Sequence, residues 1–473
     1  MIRKIEVFYK HLLHDFPFAP TKKQAEMLQL LCEFTLNEEK EDLFLLKGYA
    51  GTGKTTTIST FVNNLWKVGK KAVLLAPTGR AAKVISGYSK RPAYTIHKKI
   101  YFPKKTAAGA LDFTLKANKH KNTFFIVDEA SMIQDRKQNQ QLFAAGSLLD
   151  DLINYVYSGT NCKLIFIGDT AQLPPVKLEV SPALSSETLH YDFNKTITEI
   201  ELNEVMRQHE DSGVLANATI LRKLIEAEQL QHTFNLNFPD VVRLTDGYDI
   251  EDALVSAYQD SIEDSAFIVR SNKRANLYNQ QIRTRIRDFE NEIATGDYVM
   301  VVKNDYFWID EKSEAGFIAN GDICEILQIY KIKKLYGFSF AEVALRMIDY
   351  PNMPAFETVI LLDTLVSESP SLTYEESNKL YQEIKEDYAD EKSKHKQYLA
   401  VKKNKYFNAL QVKFSYAITC HKSQGGQWKT IFVEQPYLPE GVSKPYFRWL
   451  YTAITRAQEK LYLIGFQEDF FDD

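Results

Sequence analysis

Leu43-Phe-Leu-Leu46, followed closely by Gly48-Tyr-Ala-Gly-Thr-Gly-Lys-Thr55, is the stretch that decides the fold. The apolar run predicts a buried strand, and the residues after Thr55 predict a helix through Trp66. The G-x-x-x-x-G-K-T spacing in this strand–loop–helix context is typical of a phosphate-binding loop, whose backbone N–H groups cradle an anion. Lys54 is then expected at the β- and γ-phosphates, and Thr55 at Mg²⁺. The alternative is a glycine turn with a chance Lys-Thr.

Further apolar runs predict more parallel strands. Those at 72–76, 124–127 and 164–167 each end in polar residues, as strands do when their carboxyl ends carry a ligand. An open, doubly wound α/β sheet is therefore predicted. Later runs at 266–269, 414–418, 431–433 and 461–464 predict a second α/β domain.

Three segments interrupt this α/β pattern. Short β-like stretches with turn signals at 297–365 predict a small β-barrel insertion. Residues 372–405 are dense in Glu and Lys, with apolar residues at helical spacing, and predict one or two exposed helices. Between Ile100 and Asn122, two β-like stretches flank the turn-rich 103–110 and predict a protruding hairpin.

Composition excludes several classes of protein. The 473 residues are 45% hydrophobic and 25% charged, which excludes global disorder and indicates about three domains. A net charge of −4 excludes a histone-like protein, but not local basic clusters. The apolar runs are too short for a membrane helix, and the charged N-terminus does not resemble a signal peptide. The 4 cysteines lie far apart, so reduced buried thiols are expected rather than disulfides or zinc.

Six motifs in order carry a family resemblance. After Gly48–Thr55 come Asp128-Glu-Ala-Ser131, Gly168-Asp-Thr-Ala-Gln-Leu-Pro-Pro175, Arg207-Gln208, Thr419-Cys-His-Lys-Ser-Gln-Gly425 and Tyr451-Thr-Ala-Ile-Thr-Arg456. Together they resemble the superfamily 1B DNA helicases of the RecD-like/Dda type, and with Gln24 they span nearly the whole chain.

The resemblance implies two RecA-like P-loop NTPase domains, each a parallel sheet flanked by helices. It places a β-hairpin insertion in the first domain and an SH3-like β-barrel with a helical insertion in the second. The expected boundaries are 1–95 and 123–205 for motor domain 1A, 96–122 for hairpin 1B, 206–295 and 411–473 for motor domain 2A, and 296–410 for insertion 2B (barrel 297–365, charged helical segment 372–405).

The resemblance also implies roles at the ATP site. Asp128 is expected to hold Mg²⁺ with Thr55, and Glu129 to act as general base. Gln172 resembles the γ-phosphate sensor, and Arg207 and Arg456 resemble arginine fingers. The expected nucleotide contacts are Gln24, which resembles the adenine-reading glutamine, and Gly48, Gly51, Thr52, Gly53, Lys54, Thr55 and Thr56. An aromatic such as Tyr278 is a candidate for stacking on adenine.

Each of these roles has a plainer alternative. Asp128 and Glu129 could be two surface acids at a strand end, and Gln172 a loop glutamine. Gln24 could be an exposed helix glutamine, and Arg456 a solvated helix cation.

DNA contacts are implied for three further motifs. These are Thr78, Gly79 and Arg80; Thr95 and His97; and Thr419, His421 and Ser423. Hydroxyls, histidines and backbone amides suit sequence-independent contacts to phosphate and sugar. Taken singly, His97 and His421 could equally be structural histidines.

The hairpin offers a candidate separation pin. Phe102 or Phe113 could present an aromatic face to the duplex junction, with nearby lysines as a basic rim. The alternatives are that both rings pack the hairpin base and that the lysines are merely solvated.

The sequence therefore predicts an ATP-dependent DNA helicase that moves along single-stranded DNA, 5′ to 3′ by resemblance. Its cofactors are ATP and Mg²⁺, and its partners are single-stranded DNA and single-strand/duplex junctions, without a membrane. We expect a monomer in the cytoplasm of a bacterial or phage-infected cell, associated with the nucleoid. Alternatives are a nucleotide-switched DNA-binding translocase or loader that unwinds nothing, and a small-molecule kinase. No residue pattern decides among repair, recombination and replication.

Overall fold

The structure is a computed structural model that describes residues 2–37, 42–105, 111–134, 147–176, 178–204, 211–310 and 313–471, with the backbone alone at 103–105 and 111–113. The strands are β1 (Asp42–Gly48), β2 (Lys71–Ala76), β3 (Ala93–Thr95), β4 (Tyr101–Lys105), β5 (Leu111–Leu115), β6 (Thr123–Val127), β7 (Lys163–Gly168), β8 (Thr196–Leu202), β9 (Val241–Leu244), β10 (Ser265–Val269), β11 (Tyr298–Val301), β12 (Ile323–Leu335), β13 (Phe338–Met347), β14 (Phe356–Leu361), β15 (Leu410–Phe414), β16 (Ala417–Thr419), β17 (Trp428–Glu434) and β18 (Ala457–Ile464).

The helices alternate with these strands through most of the chain. They are α1 (Ile2–Asp15), α2 (Lys22–Leu36), α3 (Lys54–Asn64), α4 (Gly79–Ser89), α5 (Ile96–Ile100), α6 (Leu148–Tyr157), α7 (Ser186–Tyr191), α8 (Gly213–Ala227), α9 (Gly247–Asp260), α10 (Asn272–Gln281), α11 (Asp363–Val366), α12 (Tyr374–Glu386), α13 (Lys394–Lys403), α14 (Cys420–Ser423) and α15 (Lys444–Ile454). Short 3-10 turns occur at Leu65–Val68, Ala130–Met132, Pro182–Leu184 and Glu468–Phe470, and a π-helical turn at Ile282–Ile286.

A six-stranded sheet in the order β3-β2-β6-β7-β1-β8 forms the first α/β domain, and every pairing in it is parallel. Both faces of this sheet are covered, because successive residues of β1 enter different hydrophobic clusters. Leu43 and Leu45 pack with α6, whereas Phe44 and Leu46 pack with α2 and α3. Full burial on both faces explains why these strands read as continuous apolar runs.

The predicted convergence of motifs is confirmed. Strands β1, β2, β6 and β7 run parallel, so their carboxyl ends meet at one edge of the sheet. The P-loop, Thr78, Asp128 and Asp169 follow those ends directly. The sheet therefore assembles the nucleotide motifs along a single edge.

The second α/β domain is a five-stranded sheet in the order β16-β10-β17-β18-β9, again wholly parallel. The prediction of one strand at 414–418 is wrong, because this run divides between β15 and β16 in different sheets. Tyr416 makes the division: its hydroxyl donates to Asp297 Oδ1 at 2.9 Å, and its carbonyl accepts the Phe267 N–H at 3.0 Å. A continuous apolar run does not reveal which partner each half will have.

Strands β11 to β15 close the predicted barrel. The barrel extends beyond the predicted 297–365, because its closing strand β15 comes from Leu410–Phe414 and pairs with both β11 and β14. Strands β12 and β13 continue past the barrel as a long hairpin. The charged segment forms two helices, α12 and α13, and their apolar residues pack on this hairpin around Ile384 and Val401.

The first-domain hairpin is also present, as the antiparallel pair β4 and β5, with Pro103 opposite Phe113. The four cysteines, Cys32, Cys162, Cys324 and Cys420, are buried and free, as predicted. The fold class predicted from the sequence is thus confirmed: two parallel sheets flanked by helices, with a hairpin in the first domain and a barrel with helices in the second.

Candidate functional site

The P-loop has the geometry of an anion cradle. Gly51 and Gly53 adopt φ values of +74° and +77°, a region that residues with a Cβ rarely enter. Gly53 is the N-cap of α3 without any side-chain cap, so the first N–H groups of the helix face the loop uncapped. Lys54 lies over the same loop, where its Nζ donates to the carbonyl oxygens of Gly48 and Tyr49, each at 2.7 Å. Thr55 and Thr56 follow in the first turn of α3.

Gln24 is buried at 1% exposure, so the alternative of an exposed helix glutamine is wrong. Its Oε1 accepts the Thr21 N–H in a capping box that begins α2, and its Nε2 donates to the Thr52 carbonyl at 3.0 Å. Gln24 therefore ties the start of α2 to the P-loop. Adenine recognition by Gln24 stays a prediction.

Asp128 and Glu129 follow β6 at the edge of the first sheet. Glu129 has φ +53°, which is uncommon for a residue with a side chain and typical of strained functional positions. Its N–H donates to Asp128 Oδ1 at 2.9 Å. Burial, and then the charge of Glu129, raise the pKa of Asp128 to about 7. Both acids are partly buried, and their roles at Mg²⁺ and at the attacking water stay predictions.

Gln172 lies in the loop after β7 and is 7% exposed. Its Oε1 has no hydrogen-bond partner among the described residues. An unpaired buried amide oxygen is costly, so a ligand, water or ion that donates to it would stabilise this loop. Asp169 anchors the same loop, because its Oδ1 accepts the Ala171 N–H at 2.9 Å.

Arg456 follows α15 in the second α/β domain, yet its Nη1 lies 3.8 Å from Glu129 Oε1 of the first domain. It is 4% exposed, so the alternative of a solvated helix cation is wrong. Its Nε donates to the Thr452 carbonyl at 3.0 Å, and its Nη1 donates to the Gly426 carbonyl at 3.3 Å. Arg207, the other predicted finger, lies outside the described residues.

Three residues within the quoted motifs bridge the two α/β domains, a role that their motifs alone did not indicate. The hydroxyl of Tyr451 accepts the Ala50 N–H of the P-loop at 3.0 Å. Thr452 Oγ1 accepts the Leu173 N–H at 2.8 Å, and Gln424 Nε2 donates to the Leu173 carbonyl at 2.7 Å. The available signal was a pair of hydroxyl residues in an otherwise apolar stretch of α15, but nothing local names their partners.

Tyr278, the candidate for stacking on adenine, makes its contacts within the second α/β domain. Its ring stacks on Phe267 with centroids 3.9 Å apart, and its hydroxyl donates to Glu434 at 2.9 Å. Both contacts are within the second α/β domain, so one face of the ring is already covered.

The residues predicted at DNA around α4 lie against the second α/β domain and the barrel. Thr78 caps α4 by accepting the Ala81 N–H at 3.2 Å. A Cβ at Gly79 would lie 2.8 Å from Asp322 Oδ1 of the barrel. The Arg80 guanidinium stacks on the Trp428 ring, 4.0 Å from its centroid. The Arg80 side chain of the first α/β domain thus contacts Trp428 of the second.

The other predicted DNA residues divide between surface and interior. His421 is exposed, and Thr419 and His97 are partly exposed, while Thr95 is buried and caps α5 through the Lys98 N–H. Burial lowers the pKa of His97 to about 4, so it is neutral at physiological pH. Ser423 is fully buried and donates to the Cys420 carbonyl at 2.8 Å, which contradicts a DNA contact by its hydroxyl.

The candidate pin residue Phe102 is 50% exposed, whereas its neighbour Tyr101 is 3% exposed. The alternative that both hairpin phenylalanines pack the base is therefore wrong for Phe102, since alternate residues of a strand point to opposite faces. The Phe113 side chain and the hairpin tip at 106–110 lie outside the described parts.

Comparison with known proteins agrees with this geometry. A family model described as an AAA domain matches residues 19–233, and one described as a UvrD-like helicase C-terminal domain matches residues 414–464. The ATP-dependent DNA helicase dda of Enterobacteria phage T4 is 26% identical over 305 residues, which are 62% of this chain and 64% of that protein. The ATP-dependent RecD2 DNA helicase of Deinococcus radiodurans is 32% identical over 135 residues, 28% of this chain and 16% of that protein.

The chain is thus identified as an ATP-dependent DNA helicase that resembles the superfamily 1B DNA helicases. These helicases hydrolyse ATP, and the RecD-like/Dda type named from the sequence motifs is confirmed.

Two further similarities extend over more of this helicase. An uncharacterized protein of Acanthamoeba polyphaga mimivirus is 24% identical and covers 93% of this chain, which in turn covers 98% of that protein. A crystal structure of Pif1 helicase from Bacteroides, in complex with ADP-AlF3 and ssDNA, is 16% identical with a TM-score of 0.48 and covers 96% of this chain and 95% of its own.

In this helicase the two matched segments contain every motif quoted from the sequence, and the barrel with its helices lies between them. Every helix in the described part of the chain is too short or too polar to cross a membrane. Among the described residues, no group of three or more His, Cys, Asp or Glu side chains is arranged to hold a metal ion.

Proposed function

We propose that this helicase moves 5′ to 3′ along one DNA strand and separates duplex DNA at the hairpin of β4 and β5. The observation that carries the coupling of ATP hydrolysis to movement of the two domains is the position of Arg456 beside Glu129. A residue of the second α/β domain reaches the hydrolytic edge of the first, so hydrolysis depends on how the two domains approach each other.

The side chains at the edge of the first sheet have different proposed roles in ATP hydrolysis. Lys54 and the N–H groups at the start of α3 bind the phosphates, and Glu129 takes the proton of the attacking water. Arg456 stabilises charge that develops on the transferred phosphoryl group, and Gln172, with its unpaired Oε1, orients water against the γ-phosphate. Arg207 is proposed for the same role as Arg456 on its motif alone.

Mg²⁺ fits this site. Thr55 and Asp128 offer a hydroxyl and a carboxylate, which is the small protein contribution that Mg²⁺ takes when phosphates complete its shell. When bound, the ion would neutralise charge on the β- and γ-phosphates.

Single-stranded DNA and strand junctions are the proposed partners. Four of the candidate residues are exposed or partly exposed and suit contacts to phosphate and sugar: Thr78, Thr419, His97 and His421. Phe102 presents half of its surface to solvent on the protruding hairpin, as a ring that stacks on a base must. The 5′ to 3′ direction follows from the family resemblance rather than from these contacts.

The test is strand separation with ATP on two partial duplexes, one with a 5′ and one with a 3′ single-stranded tail. ATPase activity is measured in parallel, with and without DNA. Unwinding from the 5′ tail only is the expected result. Unwinding from the 3′ tail only would reverse the direction, and DNA-stimulated ATPase without unwinding on either substrate would favour the translocase or loader alternative.

A further inference from the structure

Tyr451 is buried in the last turn of α15 and makes two hydrogen bonds to the opposite α/β domain. Its oxygen accepts the Ala50 N–H at 3.0 Å, and its O–H donates to Asp169 Oδ2 at 2.7 Å. The direction of both bonds is forced, because a backbone N–H can only donate and an ionised carboxylate can only accept. One phenol therefore joins two loops that are 119 residues apart in the chain, from Ala50 to Asp169.

Both loops lie at the edge of the first sheet where the proposed function places the phosphates of ATP. Ala50 lies inside the P-loop, between Gly48 and Gly51. Asp169 begins the loop that carries Gln172, and its second oxygen holds that loop through the Ala171 N–H. The helix that carries Tyr451 leads directly into Arg456. Tyr451 thus contacts both loops from the element that also positions the arginine beside Glu129.

The phenol acts as a fixed donor rather than as a reactive group. Burial, and then the negative charge of Asp169, raise the pKa of Tyr451 well above its ordinary value. The hydroxyl therefore stays protonated throughout the working range of pH. It takes no part in proton transfer, so its effect on hydrolysis must come through the loops that it holds.

We propose that Tyr451 is a positioning residue that keeps the P-loop and the Gln172 loop in register with Arg456. The inference rests on the proposed ATP hydrolysis at this edge. A missing hydroxyl would leave substrate binding to the P-loop largely intact, but Gln172 and Arg456 would no longer be held together at the γ-phosphate. The loss would then fall on turnover rather than on binding.

The test compares Tyr451→Phe with Tyr446→Phe. Tyr446 lies on the same helix at 1% exposure, and its hydroxyl has no hydrogen-bond partner among the described residues. Both variants remove one buried hydroxyl and keep the ring. In Tyr451→Phe, kcat of the DNA-stimulated ATPase should fall about tenfold while KM for ATP changes less than about twofold. In Tyr446→Phe both constants should stay within about twofold of the parent enzyme.

A double-variant cycle separates positioning from a loss of folding. Asp169→Asn keeps the side-chain shape but alters the acceptor that Tyr451 uses. If the two residues act as one link, the Tyr451→Phe/Asp169→Asn enzyme should be no slower than the slower single variant. The melting temperature of each variant is measured as well. If Tyr451 only stabilised the fold, its substitution would lower the melting temperature together with kcat.

Parent-like kcat in Tyr451→Phe would overturn the inference, as would equal losses in Tyr446→Phe or fully multiplicative losses in the double variant. A parent enzyme that lacks DNA-stimulated ATPase would instead overturn the proposed function, and this inference with it. The two failures are distinguished by the parent enzyme alone.

Discussion

The two α/β domains meet at two seams that differ in kind. The ATP-side seam, formed by Ala50, Asp169, Leu173, Gln424, Tyr451 and Thr452, is made of directional hydrogen bonds between buried groups. The other seam is made by close packing of Arg80, Ala81, Gly425, Gly426 and Trp428, and we call it the DNA-side seam because it adjoins Thr78, a residue proposed to contact DNA. There the Arg80 guanidinium carbon lies 4.0 Å from the centroid of the Trp428 ring, and a Cβ at Gly426 would lie 2.6 Å from the same ring.

The difference suggests a division of labour. Hydrogen bonds lose their energy when donor and acceptor are displaced or misaligned, so the ATP-side seam defines one register of the two domains. Packed surfaces limit how closely the domains approach, but they specify position along the seam less sharply. Gly426 also contacts the arginine of the ATP site, because its carbonyl accepts a hydrogen bond from Arg456.

The largest expected effect lies on the ATP side. Glu129→Gln keeps the side-chain shape but removes the base, so kcat for ATP should fall by at least about 100-fold while nucleotide binding is retained. Affinity for single-stranded DNA should stay close to that of the parent, because the DNA-side seam is untouched. Fluorescent-nucleotide binding and steady-state ATPase are the measurements, with exposed Glu375→Gln as the control. Near-parental turnover would remove Glu129 from its role.

The next largest effect should separate hydrolysis from unwinding. Replacing residues 103–110 by a short turn should reduce the rate of strand separation by about tenfold, because the duplex would no longer be positioned against the hairpin. The DNA-stimulated ATPase activity should be retained. Phe102→Ala is the finer variant, since a half-exposed ring can be removed with little loss of folding. If ATPase and unwinding decline in parallel, the hairpin is a structural element and not a pin.

A smaller effect is expected at the DNA-side seam. Gly426→Ala places a methyl group against the Trp428 ring and 3.0 Å from Arg80 Cδ, which should destabilise the enzyme by about 1–3 kcal/mol. Because the shift also reaches the carbonyl that Arg456 binds, kcat should fall severalfold. Thermal unfolding and ATPase are the measurements.

Gly87→Ala is the matched control for this change. Gly87 lies within α4, and a Cβ there would meet nothing within 4 Å, so alanine should stabilise the enzyme by about 0.5–1 kcal/mol. A Gly426→Ala enzyme as stable and active as the Gly87→Ala enzyme would mean that the DNA-side seam is not tightly packed.

The smallest expected effect concerns pH. Asp322 lies under the DNA-side seam against Gly79, and burial raises the pKa of its carboxyl to about 8 from an ordinary value of 3.8. Folding therefore takes up a proton between these two values, so the free energy of unfolding should decrease as pH rises through this window. The melting temperature should fall by about a few degrees from pH 6 to pH 8.

Asp322→Asn should flatten this dependence, because an amide does not titrate. Asp260→Asn, at an exposed carboxyl, is the control and should leave the slope unchanged. An Asp322→Asn enzyme with the parental slope would show that Asp322 is ionised in the folded protein, and that the DNA-side seam carries a buried charge.

The nucleotide edge could be predicted because its signals are local. Gly48 to Thr55 are consecutive residues, and glycine at positions 51 and 53 follows from the backbone that the loop requires. A buried strand precedes the P-loop, another precedes Asp128 and a third precedes Asp169. Each of these strands is visible in the sequence as an apolar run. The family resemblance then supplied expected roles for Glu129, Gln172 and Arg456, and the structure brings Arg456 to Glu129.

The partners of these residues could not be predicted in the same way. Nothing near Arg80 in the sequence indicates Trp428, and nothing near Ser423 indicates that its hydroxyl turns inward to Cys420. The division of 414–418 between two sheets depends on Asp297, which lies more than a hundred residues earlier.

By itself, the sequence determined the α/β class, the order of the motifs, the two inserted elements and the chemistry available at the edge of the first sheet. Only the tertiary structure decided that Tyr451 joins the P-loop to Asp169, that a strand from 410–414 closes the barrel, and that one seam is bonded and the other packed. Local patterns record the backbone conformation and burial that each residue prefers, whereas hydrogen bonds and packing between distant segments depend on the folded geometry of both partners at once.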